Sequence, residues 1–327
     1  MKYYISMVSI RDTEVTLLEM VQPFDANSIG RLFGGRILEW IANVGTVATV
    51  KFSRGPTVLA YMDRHFFLAP AFIGDSITLK ARVEYVGRSS METYIEAVRR
   101  HGGDQVIMTM TTAAYVAVDD YGQPRLIRNE LKPNPDELMI YNNARSRYEA
   151  RKSKIVNRRE ERYNVNDPTE NLRWRVESNR WVTPQDAFMS NMVSAGRLLA
   201  WIDNIAASLA SEYAKSVVVT GSIDDTVFYS PIRTGEIVKI AVGISYVGKT
   251  SLETLIHVTT EDAYGNVKRV CTAYYTYIAI DDKGKPQPVP QYQPANDYER
   301  KLFEEGARRK MLRDEEIKRL KESMIIK

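Results

Sequence analysis

The sequence predicts an α+β protein of two tandem domains, each an antiparallel β-sheet wrapped around one long helix. Three observations carry this. First, the chain repeats itself: Pro23 and Pro184, Gly35 and Gly196, and Trp40 and Trp201 each stand 161 residues apart. Second, each copy holds an apolar run at spacings of three and four, the period of a helix: Ile37, Leu38, Trp40, Ile41, Val44 and Ala48 in the first, Leu198, Leu199, Trp201, Ile202, Ile205 and Leu209 in the second. Few charges interrupt either run, as expected of a helix buried nearly all round. Third, strand-like segments surround each run. In 76–86, for example, Ile77, Leu79, Ala81, Val83 and Tyr85 alternate with period two.

Taken in order, residues 11–22 read as a strand ended by Pro23, and 25–33 as the loop feeding the first helix. Strands follow at 57–67, 76–86, 91–99 and 106–118, in meander order. The second copy runs as a strand at 174–183, a helix at 196–213, and strands at 216–229, 237–247, 251–260 and 268–280. By Asp119 and Asp281 the offset is 162, so one residue is gained, most simply in the turn 262–266. The domains are read as 8–125 and 171–290, with a charged linker at 126–170 and a charged helical tail at 291–327. The linker reads as a solvated helix; its dense Arg and Lys, including Arg151-Lys152, leave open a basic surface for an anionic partner.

Composition narrows the function. The chain has 327 residues and a net charge of +4, with no zinc-finger or RNP-type motif, so nucleic acid is not expected as a partner. The one cysteine, Cys271, excludes an intrachain disulfide and reads as a strand core residue. Three scattered histidines make a metal site unexpected, and His65, with no histidine at the matched position of the second copy, reads as packing. No membrane span is expected, and the opening Met-Lys-Tyr-Tyr-Ile-Ser lacks the apolar core of a leader, so a cytoplasmic protein is expected.

The two copies diverge at two polar positions. Asn27 faces Phe188, and Ala42 faces Asp203. Asp203 lies two helical turns after Gly196, among Leu199, Ile202 and Ala206. A carboxylate there is costly unless paired or functional; it is either bonded to a loop amide or a catalytic group tuned by burial. Ala42 shows that the fold does not require it. Asn27 is either an Asx-turn residue or part of a site. Gly34 and Gly35 open the first helix, where free amides and the dipole favour an oxyanion. The matched turns 87–92 and 248–253 each carry one cation and two hydroxyls, and read as plain turns or as phosphate contacts.

The pattern Pro-x-Asp-Ala-Asn-x-x-Gly-x-x-Phe-Gly-Gly-x-Ile-Leu-x-Trp-Ile, followed by Gly74-Asp75 and by Val86-Gly87-x-x-Ser90, resembles the hotdog-fold acyl-CoA thioesterases, over 11–124 and again over 172–286. The tandem arrangement, and an end where Pro288-Val-Pro290 leads into Phe303-Glu-Glu-Gly306, is similar to the tandem members. The resemblance implies two hotdog domains paired as an intrachain pseudo-dimer, with sites between them formed by an Asn from one helix-entry loop and an Asp from the other helix. Carried over, Asn27 and Asp203 make one competent site, and Phe188 with Ala42 a dead one. The implied activity is hydrolysis of acyl-CoA, with no cofactor beyond the coenzyme A of the substrate. Non-catalytic acyl-CoA binding or regulation is the alternative. The family's His before its Gly pair is Phe33 here and Ala195 in the second copy, so the oxyanion would rest on the Gly34 and Gly35 amides. Coenzyme A would run past Ala60, Tyr61, Thr220, Gly221, Ser222 and the turn Lys249-Thr250-Ser251. The resemblance also implies a homo-oligomer, a trimer of tandem chains with six hotdog domains.

Overall fold

The computed structural model describes residues 7–325 apart from 102, 157 and 190; the opening residues 1–6, read above for a leader, lie outside that set. The first copy consists of β1 (Val15–Met20), α1 (Gly34–Ser53), β2 (Thr57–Met62), β3 (His65–Phe66), β4 (Ser76–Val86), β5 (Ser90–His101) and β6 (Asp104–Ala117). Helix α2 (Leu138–Val156) leads to the second copy: β7 (Arg175–Trp181), α3 (Ala195–Ala214), β8 (Val217–Ile223), β9 (Thr226–Phe228), β10 (Ile237–Val247), β11 (Ser251–Glu261) and β12 (Val267–Ile280). Helix α4 (Asp297–Ile325) ends it.

The strands form one 12-stranded antiparallel sheet in the order β1-β4-β5-β6-β2-β9-β12-β11-β10-β7, with β8 pairing β12 and β3. Only β4-β5-β6 and β10-β11-β12 are meanders. The expectation of four strands in meander order is corrected because α1 carries the chain from one edge of its half-sheet to the other, so β2 lands beside β6. The long strands expected at 57–67 and 216–229 each break in two, at Asp63-Arg64 and Asp224-Asp225. Here the chain steps from its own half-sheet to the other. Tyr61 pairs with Val227, and Phe66 with Ser222, which welds the two halves.

The helices lie in the concavity. Ile37, Leu38, Trp40, Ile41 and Val44 of α1 are each at most 4% exposed, a burial contributing about 1.5–3 kcal/mol per large side chain. Arg54 ends α1 in the left-handed conformation, its N–H bonded to Val50. Helices α1 and α3 pass antiparallel at close range. A Cβ on Gly35 would stand 3.1 Å from the Ala200 backbone, and one on Gly196 would stand 2.6 Å from the Glu39 carbonyl. Glycine at both matched positions therefore sets the depth of the crossing.

Helices α2 and α4 dock on their own halves in the same way. Arg151 of α2 reaches Glu92 and Asp63. Arg313 of α4 reaches Glu253 at 2.7 Å and Asp224 at 2.9 Å. Glu92 and Glu253, like Asp63 and Asp224, are repeat partners. Arg151 is thus buried and paired, which corrects its reading as part of a solvated or anion-binding surface; its neighbour Lys152 is exposed.

Candidate active site

Asp203 projects from the third turn of α3 and is wholly buried. Its Oδ1 accepts hydrogen bonds from the Thr220 hydroxyl and the Tyr277 phenol, both at 2.9 Å. Its Oδ2 has no side-chain partner and feels only the Gly35 amide. Burial pushes the carboxyl pKa up to about 6; the Tyr277 and Thr220 hydroxyls and the nearby Gly35 amide pull in the opposite direction. Thr220 sits where β8 slips register against β12, between Thr220 and Ser222, a bulge that re-aims side chains at an edge.

The free Oδ2 faces the N-terminus of α1. A Cβ on Gly34 would lie 3.0 Å from Oδ2 and 2.1 Å from the Thr220 hydroxyl, so only glycine admits this approach. Phe33, the residue before α1, offers no side chain to the first-turn amides. At the matched end of α3, Ser194 caps the helix, its Oγ accepting from the Arg197 N–H at 3.1 Å. One helix N-terminus is thus open beside a carboxylate and the other is closed. Register also places Ser194, not Ala195, opposite Phe33. Gly34→Ala keeps the backbone N–H but forces Thr220 and Asp203 away from the α1 N-terminus, so it should lower turnover about 100-fold, the scale of a misplaced catalytic group, and lower the melting temperature as well. Steady-state kinetics beside calorimetry checks it.

Asn27 lies half-buried in the loop that feeds α1. Its Oδ1 accepts from the Ile29 and Arg31 amides at 3.2 and 3.1 Å, an Asx-turn. Its Nδ2 makes no hydrogen bond to the described residues, and none joins Asn27 to Asp203. The loop is tied across to the second half by Arg31, whose guanidinium donates to the Gly284 carbonyl at 3.3 Å. The structure therefore brings Asp203, Gly34 and Gly35 together, and leaves Asn27 with one free donor group at the loop.

The expected coenzyme A contacts divide. Ala60 and Tyr61 are buried in β2, and the Tyr61 hydroxyl donates to Asp225 at 2.8 Å beneath Arg151. Ser222 is buried and paired with Phe66. The joining of the two half-sheets covers these three side chains. Thr220 is engaged with Asp203, and the Gly221 carbonyl accepts from the Phe67 N–H at 3.0 Å. Lys249 is exposed and Thr250 and Ser251 are half-buried in the β10–β11 turn, next to Tyr277 through the pairing of Ser251 with Ile278 and Leu252 with Tyr277.

The pseudo-symmetric position has lost the chemistry. Ala42 stands for Asp203, Leu59 for Thr220 and Phe188 for Asn27; Tyr115, the partner of Tyr277, remains and donates to the Ala42 carbonyl at 3.0 Å. A cavity of about 750 Å³ lies there, lined by Leu59, Phe188 and Ala195, and not at Asp203. Sequence reasoning missed Tyr277 altogether and the role of Thr220 beside Asp203. The pairs Leu59/Thr220 and Tyr115/Tyr277 in the repeat were the available signal. Among the described residues no group of three His, Cys, Asp or Glu could hold a metal ion, and no helix is long and apolar enough to cross a membrane.

Comparison with known proteins agrees with this layout. The thioesterase superfamily model matches twice, at residues 29–106 and 190–265. The cytosolic acyl coenzyme A thioester hydrolase of Mus musculus is 26% identical over 315 residues, spanning 89% of this chain and 81% of the relative. An uncharacterized acyl-CoA thioester hydrolase of Bacillus subtilis, YkhA, is 30% identical over 146 residues, 44% of this chain and 85% of the relative. Among solved structures, an acyl-ACP thioesterase from Bacteroides thetaiotaomicron shares the fold, with a TM-score of 0.51 at 12% identity over 83% of this chain and 100% of that one.

Proposed function

Because the chain belongs to the thioesterase superfamily, as two hotdog domains in tandem, we propose that it hydrolyses acyl-CoA to a free fatty acid and coenzyme A at a single site built by Asp203, Asn27, Gly34 and Gly35. One observation carries the reading: a wholly buried carboxylate keeps one oxygen free of any side-chain partner and aims it at an uncapped helix N-terminus. A structural aspartate would have both oxygens satisfied.

The chemistry follows from that geometry. Asp203, ionised at neutral pH, takes a proton from water as the oxygen of that water adds to the thioester carbonyl. The carbonyl oxygen gathers negative charge against the Gly34 and Gly35 amides, where the α1 dipole assists. The Asn27 NH₂ group orients the water or the carbonyl. Collapse of the tetrahedral adduct breaks the carbon–sulfur bond, and the proton held by Asp203 passes to the departing thiolate. Thr220 and Tyr277 fix the carboxylate, and no cofactor enters. Lys249, Thr250 and Ser251 are the positions left to meet coenzyme A. A cytosolic location is part of the proposal and rests on the relatives named for it.

Release of coenzyme A from a series of acyl-CoAs of increasing chain length tests the reading. Turnover is expected; binding without turnover across the series would move the protein to the non-catalytic class. The pH profile is a second check. Activity should fall as pH drops through about 6, where Asp203 takes up its proton. Tyr277→Phe removes a hydrogen bond that favours the ionised carboxylate, so this acid limb should move up by about one unit.

We also propose that three chains assemble, giving six hotdog domains. The end strands of the sheet leave Leu18 and Met20 on β1 and Trp181 on β7 more than half exposed, as paired edges would require. Native mass spectrometry should give about 112 kDa, three times the 37.3 kDa chain.

A further inference from the structure

We propose that the cavity at the degenerate site is a second, non-catalytic binding site for a long acyl chain with an anionic head, filled by acyl-CoA or by the free acid that hydrolysis releases. Loss of the catalytic side chains on this side has left a cavity open. It holds about 750 Å³, within the range of small-molecule sites. Its walls include Leu59, Val116, Leu198 and Phe228, chemistry suited to an alkyl chain.

The polar groups are specific to this side. Ser230 lines the cavity, is 5% exposed, and its Oγ has no partner; the first copy has Ala69 there. Arg233 and Lys268 also line it where the first copy has Phe72 and Val106. Arg162 adds a third cation, its buried Nε unpartnered. Glu236 is the one carboxylate among the lining residues, and its Oε2 already accepts from the Arg233 N–H at 2.9 Å and the Thr260 hydroxyl at 2.7 Å. The Arg233 guanidinium donates to the Tyr121 carbonyl, tying the loop after β6 to the second half at the cavity wall. An unsatisfied buried hydroxyl and an excess of cations over an apolar chamber fit an amphipathic anion. With Ala42 and Leu59 in place of Asp203 and Thr220, and the α3 N-terminus closed by Ser194, the bound thioester meets no base and no oxyanion donor.

The ligand class rests on the proposed thioesterase function, and the test separates the two. S-hexadecyl-CoA, a thioether that cannot be hydrolysed, is titrated calorimetrically into the full-length protein. Two molecules per chain are expected for wild type. Phe188→Asp places a like charge at the half-exposed cavity wall and should leave one, with palmitoyl-CoA turnover retained. Lys268→Glu, at a half-buried position of β12, should weaken the second event at least tenfold. Hexadecanoate filling the second site alone identifies the free acid as occupant; its failure to do so identifies the acyl-CoA. One molecule per chain in wild type, or two that survive both variants unchanged, overturns the proposal. Absence of wild-type turnover would sink the thioesterase reading while leaving this stoichiometry measurable.

Discussion

Asp203→Asn should bind acyl-CoA and fail to hydrolyse it. The substitution keeps the shape, and its Oδ1 still accepts from Thr220 and Tyr277, but nothing remains to take a proton from water. A lost general base costs about 10³-fold in turnover. Coenzyme A release followed with a thiol reagent reads the loss, and calorimetric titration with the thioether reads the retained binding. A rate within tenfold of wild type would remove Asp203 from the mechanism and leave the open α1 N-terminus to account for catalysis alone.

The same variant should be more stable than wild type at alkaline pH. The folded-state pKa of Asp203 is raised to about 6 from an ordinary 3.8, so the native protein holds this proton more tightly than the unfolded chain. Below pH about 4 both states are protonated and the residue costs nothing. As pH rises through 6 the native state must bury an ionised carboxylate, and roughly 3 kcal/mol of stability is lost. Asn has no such cost. Denaturation of the two proteins should therefore coincide near pH 4 and diverge up to pH 8, with the variant ahead. A gain in stability paired with a loss of activity is the mark of a residue kept for chemistry.

How much of this was legible depended on what the repeat exposed. Asp203 could be found because its copy is Ala42: a position where the fold accepts alanine has no structural need of a buried carboxylate. The buried helices and the meander strands followed from periodicity. The strand order did not, because placing β2 beside β6 is decided by how far α1 carries the chain across the sheet. Nor did the breaks at Asp63 and Asp224, since a β-pattern continues across the step from one half-sheet to the other. Asn27 was ambiguous in sequence and is both readings at once in space, its carbonyl spent on the Asx-turn and its NH₂ group left over. The burial of Tyr61 and Ser222 was not legible because burial at the seam between half-sheets depends on the partner half. The roles of α2 and α4 were hidden by their charge. Rich in Arg and Glu, α2 read as solvated and α4 as no more than a charged helical tail, although Asn134/Asn296, Glu137/Glu299, Arg147/Arg309 and Arg151/Arg313 all stand 162 residues apart.

Those charges hold the helices down, and Arg313→Ala should be among the most destabilising single changes in the chain. Arg313 is 5% exposed and spans two carboxylates on different strands: Glu253 of β11, which is wholly buried, and Asp224 at the strand break. Without it, among the described residues, Asp224 keeps Arg64 at 3.1 Å, and Glu253 keeps Arg309 and the Ser245 hydroxyl. Removing one partner of a buried ion pair costs about 3–5 kcal/mol, since the remaining charge stays desolvated. Lysine at 313 should recover only part, because a single ammonium cannot form the fork that joins both carboxylates. The loss should also depend on pH. Burial already raises the Asp224 pKa against the pull of Arg313 and Arg64; without Arg313 it rises further, and a protonated Asp224 needs no cation. The gap between variant and wild type should therefore be widest at pH 8 and narrow as the pH falls. A constant gap from pH 8 to pH 5 would mean that Arg313 acts through its packing and not its charge.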